Sequence, residues 1–452
     1  MSRKPIIALA LGVALVVIGV LIVVLWPEDP SFQVKTSWLD ERPSGPVRLC
    51  GGEDVTSRRR AVTDYNDKYR PGSRATYSEG SFLADTQQRY VDLIENGSDD
   101  CDAILLDVVY MKEFASKHLL YDMTPYLEQH DRQTEFDPRM LRTVEHDGRL
   151  WGVPRELDVG VLYYRADKVP RPPTSWQEVF EQAKPRPPDN LPGLRFQLGP
   201  YEGLTVVLLE LAYSAGADPI ITEDGKTARL DQSQVLEALT FLRNAVRERV
   251  IPGQEQEDTS NLEQYALGRA RFLRGWPFVD AEIHKPPGSG RTPPTRLARQ
   301  ARLATAARTR ILPLPPWKPG GESVGVLGGH NLVIPRSARN PSAALQLVDF
   351  MTSEDQVRLD AEENSQVPVL NDLADEFGLG NQDLLRAVKE TNVIPRPSIP
   401  QYADVSTIIS CGVRAILFAP ADVAVRERLQ DINGDVQSVL DGGSSDLKSR
   451  AC

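Results

Sequence analysis

The sequence predicts an α/β fold of two to three domains, with parallel sheets and right-handed crossovers, preceded by a helix long enough to span a membrane. Three observations carry this expectation. Between Val47 and Leu106, short apolar runs alternate with stretches of helical spacing. The chain has 452 residues, which at about 150 residues per domain suits two to three domains. Ile6 to Trp26 is a run of 21 residues without a charge, close to the roughly 20 that cross a bilayer as a helix.

Arg3 and Lys4 precede that run, and Glu28 and Asp29 follow it. Positive charge on the short N-terminal side orients it toward the cytoplasm and places everything after Trp26 outside. A cleaved secretory signal is the alternative, although no Ala-x-Ala-like site follows the apolar stretch; a buried hairpin is a third reading. The first cysteine is Cys50, too far downstream to mark a lipoprotein. Residues 27–45 carry Pro and Ser without periodicity and read as a tether.

Val47 to Gly51 is a short apolar run ending in Gly-Gly, a strand. Thr56 opens a helix with Val62, Tyr65 and Tyr69 on one face. Arg74 to Tyr77 reads as a strand, and Phe82 to Ile94 as a helix stopped by Asn96-Gly97. Ala103 to Leu106 is continuously apolar, the mark of a strand buried on both faces. Trp151 to Tyr164 forms two extended pieces around a polar centre. Ser175 to Glu178 is a capping box, and Leu204–Tyr213 and Val235–Val246 are helical by period. Arg271 to Phe278 and Leu327 to Ile334 read as strands. Asn340-Pro341 sets an N-cap and a first-turn proline ahead of a helix over Ala343–Met351, and Ser353 to Gln356 reads as another capping box. The last hundred residues read mainly as helices broken at Pro395, Pro397, Pro400 and Pro420.

With 52 Lys plus Arg against 63 Asp plus Glu, the net charge is −11. Phosphate backbones are bound by clustered cations, so no nucleic-acid partner is expected. The four cysteines, Cys50, Cys101, Cys411 and Cys452, allow three pairings. An outside location makes disulfides possible, and Cys50–Cys101 with Cys411–Cys452 is the preferred set; in the plainer reading Cys50 is a buried strand residue and Cys452 a tail thiol. No Cys/His cluster exists, so no metal is expected. Lys285 to Arg310 is Arg- and Pro-rich. It reads as an exposed insertion loop, or as a docking patch for anionic headgroups or an acidic partner.

Several stretches together resemble the family 1 extracellular solute-binding proteins, the maltose- and trehalose-type receptors of ABC sugar importers. Asp102 to Leu127 (DAILLDVVYMKEFASKHLLYDMTPYL) is similar to that family's Asp-rich segment ending in Asp-Leu-Thr-Pro, with Tyr110 where Trp is common. Trp151-Gly152-Val153-Pro154 with Gly160 to Arg165, Tyr265 to Pro277, Gly328 to Leu332 followed by Asn340-Pro341, and Arg396-Pro397 with Tyr402 resemble four further stretches in the family's order. The likeness runs from about Val47 to Leu440. It implies a two-lobed, type II periplasmic-binding-protein-like fold with an interlobe ligand cleft. Residues 46–155 would begin lobe 1, 156–320 form most of lobe 2, and 321–452 return to lobe 1 and a shared helical region. Hinge closure on a ligand is the expected motion.

Sugar hydroxyls want carboxylates, amides and guanidiniums, and sugar C–H faces want aromatic rings. Glu53 and Asp54 follow the first strand, and Ser81 and Phe82 follow the second. Asp107 closes the buried third strand, where the resemblance places a hydroxyl acceptor, and Tyr110 could stack nearby. Glu156 and Asp158 fall on one face of a strand, able to accept hydroxyls, to pair with Arg155, or to act as a catalytic pair. Trp276 is a stacking candidate; Gly328 and Gly329 would let backbone amides approach a ligand; His330 stands where the family often has Trp; Arg396 could reach in from the hinge.

No His-Glu-x-x-His, Gly-x-Ser-x-Gly or Gly-x-Gly-x-x-Gly occurs. Gly225-Lys226-Thr227 lacks the first glycine of a phosphate loop and reads as a turn. The expected protein is therefore not an enzyme and needs no cofactor: a membrane-anchored, extracytoplasmic carbohydrate receptor serving ABC permease subunits. A ligand sensor coupled to a membrane signalling partner is the alternative, and a carboxylate-dependent glycosidase a more distant one.

Overall fold

Strand-forming runs separate into two sheets because the chain crosses between them. In the computed structural model the described residues are 39, 41–52, 58–69, 73–80, 84–187, 190–253, 258–285, 296–374, 376 and 379–443. The strands are β1 (Gly45–Gly51), β2 (Ser73–Glu79), β3 (Ala103–Asp107), the hairpin β4 (Glu145–His146) and β5 (Arg149–Leu150), β6 (Val153–Asp158), β7 (Val161–Arg165), β8 (Leu194–Arg195), β9 (Phe272–Gly275), β10 (Thr309–Pro313), β11 (Val324–Val326), β12 (Gly328–Val333) and β13 (Asn392–Ile394). The first sheet has the order β2-β1-β3-β12-β6, with β1 parallel to β2 and β3, and β12 antiparallel to β3 and β6. The second has the order β10-β7-β9-β8. Both belong to one compact unit, Arg42–Cys452.

The chain leaves the first sheet after Asp158 and enters the second at Val161. It returns through β11, which pairs with β13, and Leu327 N–H donates to Ile394 O at 2.8 Å. The passage from the first sheet to the second thus falls at residues 159–160. The pairing of Gly328 with Asp158 keeps the end of β6 in the first sheet. β3 is buried over Ala103–Leu106, as a continuous apolar run requires, and β1 over Leu49–Gly51. The helix Glu202–Ser214 buries every residue from Gly203 to Tyr213, as a helix apolar all round must. It packs on the helices Ser233–Arg247 and Tyr402–Leu417. Around it lies the largest cluster of apolar side chains, including Leu208, Leu239, Ile409 and Val413.

Several local expectations hold. Cys50 and Cys101 form a disulfide, joining the end of β1 to the turn before β3. Cys411 is also disulfide-bonded; its expected partner, Cys452, lies outside the described residues. Ser175 caps its helix, accepting from Glu178 N–H at 3.3 Å. Gly225 sits in a turn at φ +73°.

Others are corrected. Ser353 precedes its helix without capping it, because its hydroxyl donates to Phe350 O at 2.7 Å. The strand expected over Arg271–Phe278 ends at Gly275, since Pro277 cannot donate to a ladder. Leu327–Ile334 is not one strand: β11 and β12 flank Leu327. The expected basic loop is helical over Arg296–Arg308; Ala and Arg at most positions favour helix once the prolines are passed. Among the described residues no helix is long and apolar enough to cross a membrane; Ile6–Trp26, on which the anchor expectation rests, lies outside them.

Candidate functional site

Strand register assembles the polar cluster. His330 of β12 is paired on one side with Asp107 of β3 and on the other with Glu156 of β6. Directly paired residues share a sheet face, so three residues far apart in sequence become neighbours. A β-bulge follows His330, and bulges of this kind re-aim the side chains around them. The extra residue is Arg155 of β6, skipped between Pro154 and Glu156; Gly329, beside it on β12, has φ +121°, and a Cβ there would stand 1.9 Å from Glu156 O. Its lack of a side chain lets β6 approach this closely. Asn331, on the other face, is wholly buried, and its Nδ2 donates to Thr143 Oγ1 at 2.9 Å.

Glu156 is nearly inaccessible. Arg58 Nη2 donates to its Oε2 at 3.0 Å, and His330 Nδ1 lies 2.8 Å from the same oxygen. Burial opposes its charge, but Arg58 and His330, with Arg155 behind, hold its carboxyl well below the usual range. The alternative of an ion pair with Arg155 does not form; Arg155 pairs instead with buried Asp360. Asp158 falls on the same face as Glu156, and one ligand atom each from Glu156, Asp158 and His330 lie within 4.8 Å of one another. Asp158 Oδ1 is shut off from solvent and accepts no hydrogen bond among the described residues. Burial and the neighbouring Glu156 charge push its carboxyl up to about 7.

A second group ties the first sheet to the second lobe. Arg396 is buried and donates through Nη2 to Asp107 Oδ1 at 2.9 Å and through Nη1 to Glu202 Oε1 at 2.8 Å. Asp107 also caps the turn after β3, accepting from Val109 N–H at 3.1 Å. Glu202 opens the buried helix of the second lobe and accepts from Tyr402 Oη at 2.7 Å and from the Ser406 hydroxyl. Burial raises the Glu202 carboxyl, with Arg396 opposing. Tyr110 is half-buried beside this group; burial, then the Glu202 and Asp107 charges, raise its phenol well above its ordinary value.

Trp276 stands on the other sheet. Val161 pairs with Gly275, so Trp276 emerges beside the 159–160 crossing. The Arg274 guanidinium lies 3.7 Å from its ring centroid and makes a bidentate pair with Glu210, both side chains fully buried. One face of the indole is therefore already covered by a cation. Arg396 is near enough to act on the Glu210 charge, which links this stack to the Asp107 group.

Asp107, Glu156, Asp158, His330 and Arg396 are thus brought together, with Tyr110 beside Asp107 and Glu202 and Trp276 stacked on Arg274. Glu53, Asp54, Ser81 and Phe82 lie outside the described residues. Sequence reasoning missed Arg58, Glu202 and Arg274. Arg58 is hidden in a run of three arginines, but Glu202 ahead of an unbroken apolar helix and Arg274 inside an apolar strand were visible signals.

Two lobes joined by crossing strands, with a polar cluster where they meet, define a two-lobed solute-binding protein. Residues 61–380 match the model of a bacterial extracellular solute-binding protein family, and the chain belongs to that family. A probable ABC transporter-binding protein of Deinococcus radiodurans is 26% identical over 342 residues, 70% of this chain and 75% of the relative. Among solved structures, maltose-bound MalE3 of T. maritima superposes with TM-score 0.76 at 24% identity, over 87% of this chain and 99% of that one. The GacH receptor of Streptomyces glaucescens, solved unliganded and with acarbose, gives 0.74 at 17% identity, over 89% and 100%. The relatives are substrate-binding proteins, and the chain is a binding protein, not an enzyme.

Proposed function

We propose that this chain is a carbohydrate receptor of an ABC importer, held at the outer face of a membrane by Ile6–Trp26 and presenting its ligand to permease subunits. One observation carries the carbohydrate reading: planar hydrogen-bonding groups (Asp107, Glu156, His330, Arg396) converge on neighbouring strands, and Trp276, directly after β9, is the proposed stacking ring. That combination suits hydroxyls on one side and a C–H face on the other. Structural relatives were solved with maltose, tagatose, ribitol and maltotriose, all polyols. Glu53, Asp54, Ser81 and Phe82, which follow β1 and β2 in the sequence, complete the proposed contact set.

The test is a thermal-shift screen of the compact unit, residues 42–452, against mono- and oligosaccharides. Ligand at 100 times its dissociation constant adds about 2.7 kcal/mol, a clear rise in melting temperature. A shift with at least one sugar, reduced in Asp107→Asn, supports the reading; shifts with amino acids or peptides and none with sugars sink it.

A further inference from the structure

We propose that His330, Glu156 and Asp158 form a site for a divalent transition-metal cation of the zinc class on the floor of the cleft. The donors are an imidazole and two carboxylates, the nitrogen and oxygen ligands that Zn2+ takes. They come from adjacent strands, with ligand atoms within 4.8 Å of one another. Their placement is set by backbone register and by the close approach of β6 to Gly329, so the site is built rather than gathered from mobile side chains.

One feature beyond the donor set calls for a cation. Asp158 Oδ1 is buried and accepts no hydrogen bond among the described residues, and a buried carboxylate oxygen without a partner is costly. Around it, the carboxylates of Asp107, Glu156 and Glu202 meet the guanidiniums of Arg58 and Arg396 and the imidazole of His330. Arg58 orients Glu156 from behind, as hydrogen-bonding partners outside a metal's own ligands do. Three protein ligands leave a coordination position open to water or to a solute oxygen. The site does not depend on what the solute is.

The test uses Zn2+ alone and the untagged full chain, stripped with chelator. Calorimetric titration is expected to show one site, and Co2+ to give a visible ligand-field spectrum. Losing an outer partner costs about 10–100-fold in metal affinity, so His330→Ala and Asp158→Asn are expected to weaken binding about 100-fold or more and to abolish the Co2+ spectrum. His284→Ala, beside Asp280 on the other lobe, is expected to keep both. Should His330→Ala fail to fold, Asp158→Asn, which preserves side-chain shape, decides alone. The proposal is overturned if Zn2+ gives no binding heat, or if His330→Ala and Asp158→Asn bind it as tightly as His284→Ala. A sugar shift with no Zn2+ binding removes the metal site and leaves the carbohydrate reading standing; Zn2+ binding with no sugar shift does the reverse.

Discussion

At the scale of single residues, burial decides which charges matter. The Arg274–Glu210 pair is fully buried, and removing one partner of such a pair strands the other. Arg274→Met is expected to lower unfolding free energy by about 3–5 kcal/mol in urea denaturation, whereas the double change with Glu210→Leu recovers most of it. Asp158 behaves differently because its carboxyl is pushed up to about 7. Below about pH 4 the folded and unfolded states both hold the proton. As pH rises from there, the unfolded chain releases it first and the native state keeps it. Native protein then binds more protons, so stability contributed by Asp158 falls between about pH 4 and 7 and is level above. The difference in unfolding free energy between wild type and Asp158→Asn, followed against pH, should trace that fall; a flat difference refutes the assignment.

At the scale of elements, the three-strand contact β3-β12-β6 is the structure's key joint. Gly329 at φ +121° cannot accept a Cβ without pushing β6 away. Gly329→Ala is expected to cost more than about 3 kcal/mol by chemical denaturation and to weaken solute binding, because Glu156 and His330 would separate. The Cys50–Cys101 disulfide closes a loop spanning 51 residues. Replacing both cysteines by Ala is expected to cost about 2–4 kcal/mol, and reductant should destabilise that variant less than wild type, since only the disulfide of Cys411 is left to break. The segment after the prolines, Arg296–Arg308, shows how far residue type can be read: its basic character was plain, but its helix was obscured by Pro286, Pro287, Pro293 and Pro294 upstream.

At the scale of the whole molecule, Arg396 joins Asp107 of the first lobe to Glu202 of the second. A tie of this kind biases the equilibrium between open and closed lobes. Arg396→Gln is expected to raise the radius of gyration of the solute-free unit in small-angle scattering. It should also weaken solute binding by about tenfold or more, since a closed state less often populated lowers apparent affinity in proportion. An unchanged radius with unchanged affinity would show that the tie is merely structural.

The sequence alone determined the strand and helix order, because periodicity and turn residues act over a few positions: Ala103–Leu106 as a buried strand, Leu204–Tyr213 as a buried helix, Ser175 as a cap. It also marked Asp107 and Glu156 as polar residues in apolar surroundings, and the family resemblance marked His330 and Arg396. Their partners were decided only by tertiary structure. Pairing of β12 between β3 and β6 chose which carboxylates His330 meets, and the fold carried Arg58, Glu202 and Arg274 from distant segments to charges they neutralise. A charge within a segment shows in its spacing, but the counter-charge it requires is fixed by distance in space, which local pattern does not encode.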